Sequence, residues 1–131
     1  MASKIIFLEE IKQGTYMYWN ICTQACFDFK VEIKDSGIGK VYFSKEKAFS
    51  QSGDIYNLSD GSNLATVMGD NLTIEITSTY SKELKSSINS YGVNDTSGKT
   101  IGKGYNICIE DSDDNDFNDL YINIIAWEKR G

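Results

Sequence analysis

The chain has 131 residues and a formal net charge of −6, from 13 Lys and Arg against 19 Asp and Glu. Six of those acids, Glu110, Asp111, Asp113, Asp114, Asp116 and Asp119, crowd into ten residues, so the remainder of the chain is electrically balanced. Histidine is absent, which excludes Ser-His-Asp and Cys-His nucleophilic machinery and any His-ligated zinc or iron. The lack of a basic patch argues against nucleic acid as a partner, since phosphate neutralisation by Lys and Arg dominates that affinity.

In chain order, the first apolar run, Ile5 to Leu8, is too short for a signal h-region. No stretch approaches the roughly 20 apolar residues of a membrane span. The expectation is synthesis and folding in the cytoplasm without a signal peptide, with later release or surface association left open, and no membrane insertion. Tyr16, Tyr18 and Trp19 form an aromatic cluster that reads as core or interface, with sugar stacking as the alternative. Cys22, Cys26 and Cys108 cannot all pair with one another and read as small hydrophobes in a reducing compartment. Phe27, Phe29, Val31 and Ile33 alternate with Asp28, Lys30, Glu32 and Lys34, the period of a half-buried strand. Val41 to Phe43, Leu72 to Thr77 and Tyr105 to Ile109 read as further strands, and Leu120 to Trp127 as the most apolar one. Ser81 to Ile88 carries Leu84 and Ile88 at helical spacing but no caps, so it reads as a single turn within a connection. Gly, Asn and Asp clusters separate the strands, and no proline occurs. The whole predicts one domain over residues 1–131, all-β, built as an antiparallel β-sandwich.

Residues 110–119 read Glu-Asp-Ser-Asp-Asp-Asn-Asp-Phe-Asn-Asp. Each close carboxylate pair costs about 1 kcal/mol at ~4 Å even in bulk water. A bound cation removes that repulsion, and a donor set made only of hard oxygens selects Ca²⁺ over zinc or copper. The bland alternative, a solvated acidic turn, fits poorly with a segment that runs straight into the most apolar strand. An EF-hand is excluded by spacing. Asp114-x-Asp116-x-Asn118 meets its first three ligand positions, but Asp119 stands where Gly is needed and Ile125 where Glu is needed. Glycoside hydrolysis requires one carboxyl kept protonated in apolar surroundings and set apart from its partner, which a crowded acidic loop does not supply. The chain therefore reads as a binding protein, not an enzyme.

Glu110-Asp111, then Asp114-Asn115-Asp116-Phe117-Asn118-Asp119, then an apolar strand with Trp127 and a final Gly131, resembles the end of the calcium-dependent fucose- and mannose-binding bacterial lectins of the LecB type. Upstream, Trp19-Asn20 and Thr23-Gln24 resemble the family's Asn-Ser-Ser-Gly-Thr-Gln segment, and Ala48-Phe49-Ser50 falls in corresponding order. The resemblance implies a sandwich of about nine strands that holds two neighbouring Ca²⁺ ions, with sugar hydroxyls as direct metal ligands. It assigns Glu110, Asp114, Asp116, Asn118 and Asp119 as side-chain ligands and Asn20 as a ligand through its backbone carbonyl. The Gly131 carboxylate would enter the site of a second copy, implying a homodimer or higher oligomer. Ile21, Cys22, Asp111, Asp113, Asp114 and Asp116 would line the sugar. This chain departs from the pattern where Ile21-Cys22 replaces a longer small-residue loop and where Asp113 adds a charge.

The ligand charges agree with this implication. Glu110, Asp114, Asp116 and Asp119 supply −4, and a partner's terminal carboxylate makes −5 against the +4 of two Ca²⁺. The leading expectation is thus a lectin that ligates fucose- or mannose-type sugars through Ca²⁺. The alternative is a calcium-braced sandwich that serves in structure, assembly or adhesion without sugar.

Overall fold

The computed structural model describes residues 1–24, 27–50, 54–110 and 119–129. Ten strands form among them: β1 (Ala2–Phe7), β2 (Tyr16–Thr23), β3 (Phe29–Asp35), β4 (Lys40–Lys47), β5 (Tyr56–Asn57), β6 (Leu64–Thr66), β7 (Leu72–Ser78), β8 (Lys85–Asn94), β9 (Thr100–Glu110) and β10 (Leu120–Trp127). They make two antiparallel sheets, one ordered β1-β7-β3-β4 and the other β5-β2-β10-β9-β8, with β6 also pairing β2. The expected all-β sandwich is the observed architecture. Ten strands are described against an expected count of about nine, and two of them, β5 of two residues and β6 of three, are short segments along the outer edge of β2. Among the described residues no helix is long and apolar enough to cross a membrane.

Alternation builds the core. Met17, Trp19 and Ile21 of β2, Ile107 and Ile109 of β9, and Leu120, Ile122, Ile124 and Ala126 of β10 all turn inward and are buried. They meet Phe29, Val31 and Ile33 of β3 and Leu72, Ile74 and Ile76 of β7 across the sandwich. Trp19, the largest wholly buried side chain, meets the Phe43 ring edge-on at 5.9 Å. Its indole Nε1 has no hydrogen-bond partner.

The outward face of the larger sheet has its own order. The registers align Asn20 with Asn123, Asn123 with Asn106, and Asn106 with Asn89, so one rung of asparagines crosses four strands. Asn123 Nδ2 donates to Asn106 Oδ1 at 2.7 Å and to the Tyr91 hydroxyl at 3.2 Å. Tyr91 reaches that position because it lies flat across Gly104, where a Cβ would stand 2.2 Å from its Cζ. The smaller sheet faces solvent with charges instead, as in the Lys34–Glu75 pair at 2.6 Å.

Two expectations change in register or type. Phe27 precedes β3, which begins at Phe29. Lys85 to Ile88 belong to β8 and not to a turn, and only residues 81–84 remain a connection. Backbone pairing along the whole of β9, with Ile88 opposite Ile107, outweighs a weak local helical spacing. At the far end of β3, Asp35 is buried and accepts N–H donors from Gly37 at 2.9 Å and Asn71 at 3.1 Å, tying two turns together.

Candidate metal and ligand site

Three strands converge where the acidic segment begins and ends. β9 stops at Glu110 and its antiparallel partner β10 starts at Leu120, so the two strands carry the two ends of the acidic segment. The last paired rung is Ile109 with Leu120, and one further step of that register sets Glu110 opposite Asp119. β2 closes the third side. The Thr23 hydroxyl donates to the Asp119 carbonyl, and the Gln24 N–H donates to the same oxygen at 3.3 Å. Lys85 stands opposite Glu110 on the remaining side.

Both carboxylates at this mouth lie inside. Glu110 is 0% exposed and Asp119 is 9% exposed. A carboxylate brought out of water is costly, and its burial is tolerated where hydrogen bonds or cationic charge compensate. Their oxygens are hard donors, the type that Ca²⁺ takes. The mouth thus fits the expected ion in donor chemistry. Among the described residues no group of three or more Asp, Glu, His or Cys side chains comes together.

The expected ligands divide three ways. Glu110 ends β9 and Asp119 immediately precedes β10, both at the mouth. Asp111, Asp113, Asp114, Asp116, Asn118 and Gly131 lie outside the described residues. Asn20, Ile21 and Cys22 are described, and all three lie within β2. Asn20 is exposed in the middle of β2 opposite Asn123, three rungs from Thr23, or ~10 Å along the strand. Its Oδ1 accepts from the Tyr18 hydroxyl at 3.2 Å. Ile21 is wholly buried, its N–H donates to Ser59 Oγ at 3.0 Å, and its carbonyl accepts from the Leu58 N–H at 2.8 Å. Its side chain and both backbone polar groups are thus engaged within the sandwich. Cys22 is half-buried on the outer face between Asn57 and Tyr121, and both it and Cys108 are free thiols. β2 runs regularly through Thr23, so this segment is strand where the resemblance implies a loop.

Thr23, the last residue of β2, and Gln24 after it reach the mouth through the Asp119 carbonyl. Their signal was the Thr-Gln pair itself. Lys85 had none, because β8 showed no alternation. Of the aromatic cluster, Trp19 is core, while Tyr16 is 43% exposed and packs against Trp127 at 6.3 Å. A cleft of about 610 Å³ bordered by Glu10, Gln13, Gly102 and Glu128 lies at the opposite end of β9 and β10 and shares no residue with the mouth.

No protein-family model matches the chain, and no curated protein sequence does either. Solved structures do share its fold. A high-affinity mannose-binding lectin of Ralstonia solanacearum superposes with a TM-score of 0.62 at 14% identity, covering 96% of each chain. The C-terminal domain of the BC2L-C lectin from Burkholderia cenocepacia gives 0.62 at 18% identity, over 95% of each chain. The Chromobacterium violaceum lectin CV2L, solved in complex with alpha-methyl-fucoside, gives 0.59 at 15% identity over 96% of each. Likeness at these identities is likeness of fold, and it spans the whole sandwich.

Proposed function

We propose that the protein is a carbohydrate-binding lectin whose β9–β10 hairpin holds two Ca²⁺ ions that ligate hydroxyls of a fucose- or mannose-type sugar. The observation that carries the reading is the pair of buried carboxylates, Glu110 and Asp119, at the ends of β9 and β10, with four further acids between them in sequence. The shared fold supports it, since the three solved structures are named as lectins, one of them mannose-binding and one in complex with a fucoside. A sugar is a small, heavily hydrated ligand for which ordinary hydrogen bonds merely exchange with water. Direct ligation to a metal supplies what those bonds lack. In this reading Asp111, Asp113, Asp114, Asp116 and the amide of Asn118 complete the ion and sugar contacts, and the chain catalyses nothing. A homodimer, with Gly131 of one copy completing the set of the other, belongs to the same proposal.

The test is a glycan array probed in Ca²⁺ and again in EDTA. Fucosides or mannosides should be retained in Ca²⁺ and lost in chelator. Chelator-sensitive melting with no glycan retained anywhere would overturn the reading. That outcome would favour the second one, a calcium-braced sandwich acting in structure, assembly or adhesion. One observation speaks for it: the Ile21-Cys22 segment, which takes the place of a sugar-lining loop, is regular strand with Ile21 in the core.

A further inference from the structure

At the same end of the sandwich as the hairpin mouth, three aromatic rings from separate segments meet near the surface. Phe27 lies between β2 and β3, Phe49 follows β4, and Tyr80 follows β7. Their centroids are 6.4 Å apart for Phe27 and Phe49, 6.2 Å for Phe27 and Tyr80, and 5.0 Å for Phe49 and Tyr80. The cluster is not core. Phe49 is 44% and Tyr80 60% exposed, a contiguous apolar patch of the kind that marks a binding surface.

Two polar clamps hold the rings from behind. The Asp28 carboxylate accepts the Thr79 N–H at 3.0 Å and the Tyr80 N–H at 3.2 Å, fixing the segment that carries Tyr80. Partial burial works against its charge, but those N–H donors, with the Ser78 hydroxyl, outweigh it and hold the carboxyl below its ordinary range. The clamp is therefore complete above the usual carboxylate pKa, about 3.9, and loosens as the pH falls below it. On the other side the buried Lys47 ammonium donates to the carbonyls of Phe27 at 3.1 Å and Ala48 at 3.0 Å.

Lys47 also connects the rings to the mouth. Its Nζ lies 5.4 Å from the centre of the Tyr56 ring. Tyr56 pairs with Thr23 in the β2–β5 ladder, and Thr23 donates to the Asp119 carbonyl. A continuous path of contacts thus runs from the carboxylate mouth to the aromatic patch.

We propose that Phe27, Phe49 and Tyr80 form a second subsite, a stacking shelf for the pyranose next to the terminal sugar bound at the hairpin mouth. The proposal rests on the carbohydrate-binding reading above. A pyranose presents a face of aliphatic C–H groups that packs on aromatic faces, while its hydroxyls stay in water at the rim. Three rings match one such residue. They fall far short of the roughly 800 Å² per partner that a stable protein interface covers.

Isothermal titration with methyl α-mannoside and methyl α-fucoside, against α-linked disaccharides bearing the same terminal sugar, tests the shelf in Ca²⁺. The parent protein should bind at least one disaccharide roughly 5–10-fold tighter than its monosaccharide. The Phe49→Ala, Tyr80→Ala variant should lose that gain while holding the monosaccharide within about twofold. Tyr80→Phe, which keeps the ring, should retain it. A parent with no disaccharide gain, a double variant that keeps the gain, or one that loses monosaccharide equally would each overturn the shelf. Binding of the monosaccharide without a disaccharide gain leaves the lectin reading standing and removes the shelf alone. Binding of no sugar removes both.

Discussion

In Ca²⁺ the parent protein is expected to melt roughly 10 °C higher than in chelator, and Glu110→Gln combined with Asp119→Asn should close that gap. The reasoning is linkage. An ion that binds only the folded chain adds about 2.7 kcal/mol when free Ca²⁺ stands at 100 times its Kd, and each kcal/mol is worth roughly 4 °C in a domain of this size. Both substitutions keep side-chain shape and most hydrogen-bonding capacity while removing two negative charges from the mouth. Glu110 is wholly buried and Asp119 nearly so, and little solvent screens what they exert on an ion. Calcium affinity and sugar retention should fall together, by 100-fold or more on the order of the cost of losing two charged ligands. Differential scanning calorimetry in Ca²⁺ and in EDTA reads the gap. A double variant that keeps the full difference would separate the ion from this hairpin.

The largest effect on folding should come from Trp19. Its truncation to Ala empties the space between the sheets opposite Phe43 and should cost about 3–5 kcal/mol, a large part of the total stability of an ordinary domain. Trp19→Phe should cost clearly less. It keeps an aromatic ring in the edge-on contact, and the indole N–H it removes has no partner to lose. Urea denaturation of the two variants gives the comparison. Equal losses would mean that the indole outline, and not the aromatic contact, supports the core.

Particular residues explain what could be read in advance. Leu120 to Trp127 was legible to its boundaries because inward positions on a central strand must be apolar, and Leu120, Ile122, Ile124 and Ala126 are. β8 was hidden because it is an edge strand. Its Ser, Asn and Gly residues pack little and keep no period, and only pairing with β9 holds it extended. β5 and β6 are too short to carry any pattern. At the site, the acidic hairpin declares itself through charge crowding alone, which local composition reveals. The upstream resemblance spreads along β2. Its Thr23-Gln24 half points to the hairpin mouth, while its Asn20 half points three rungs away. The asparagine rung and the aromatic shelf each combine residues from separate segments. Neither exists until four strands, or three loops, have taken their register.

The crowded acids that set the net charge of −6 are, on this account, a ligand set waiting for its ions. The most direct test is to strip the protein with chelator, dialyse it, and titrate it calorimetrically, first with Ca²⁺ and then with methyl α-mannoside or methyl α-fucoside. The account predicts saturable binding of two Ca²⁺ per chain, and sugar heat that appears only after the metal is bound. Sugar binding by the metal-free protein, or its absence from the calcium-saturated one, would contradict it.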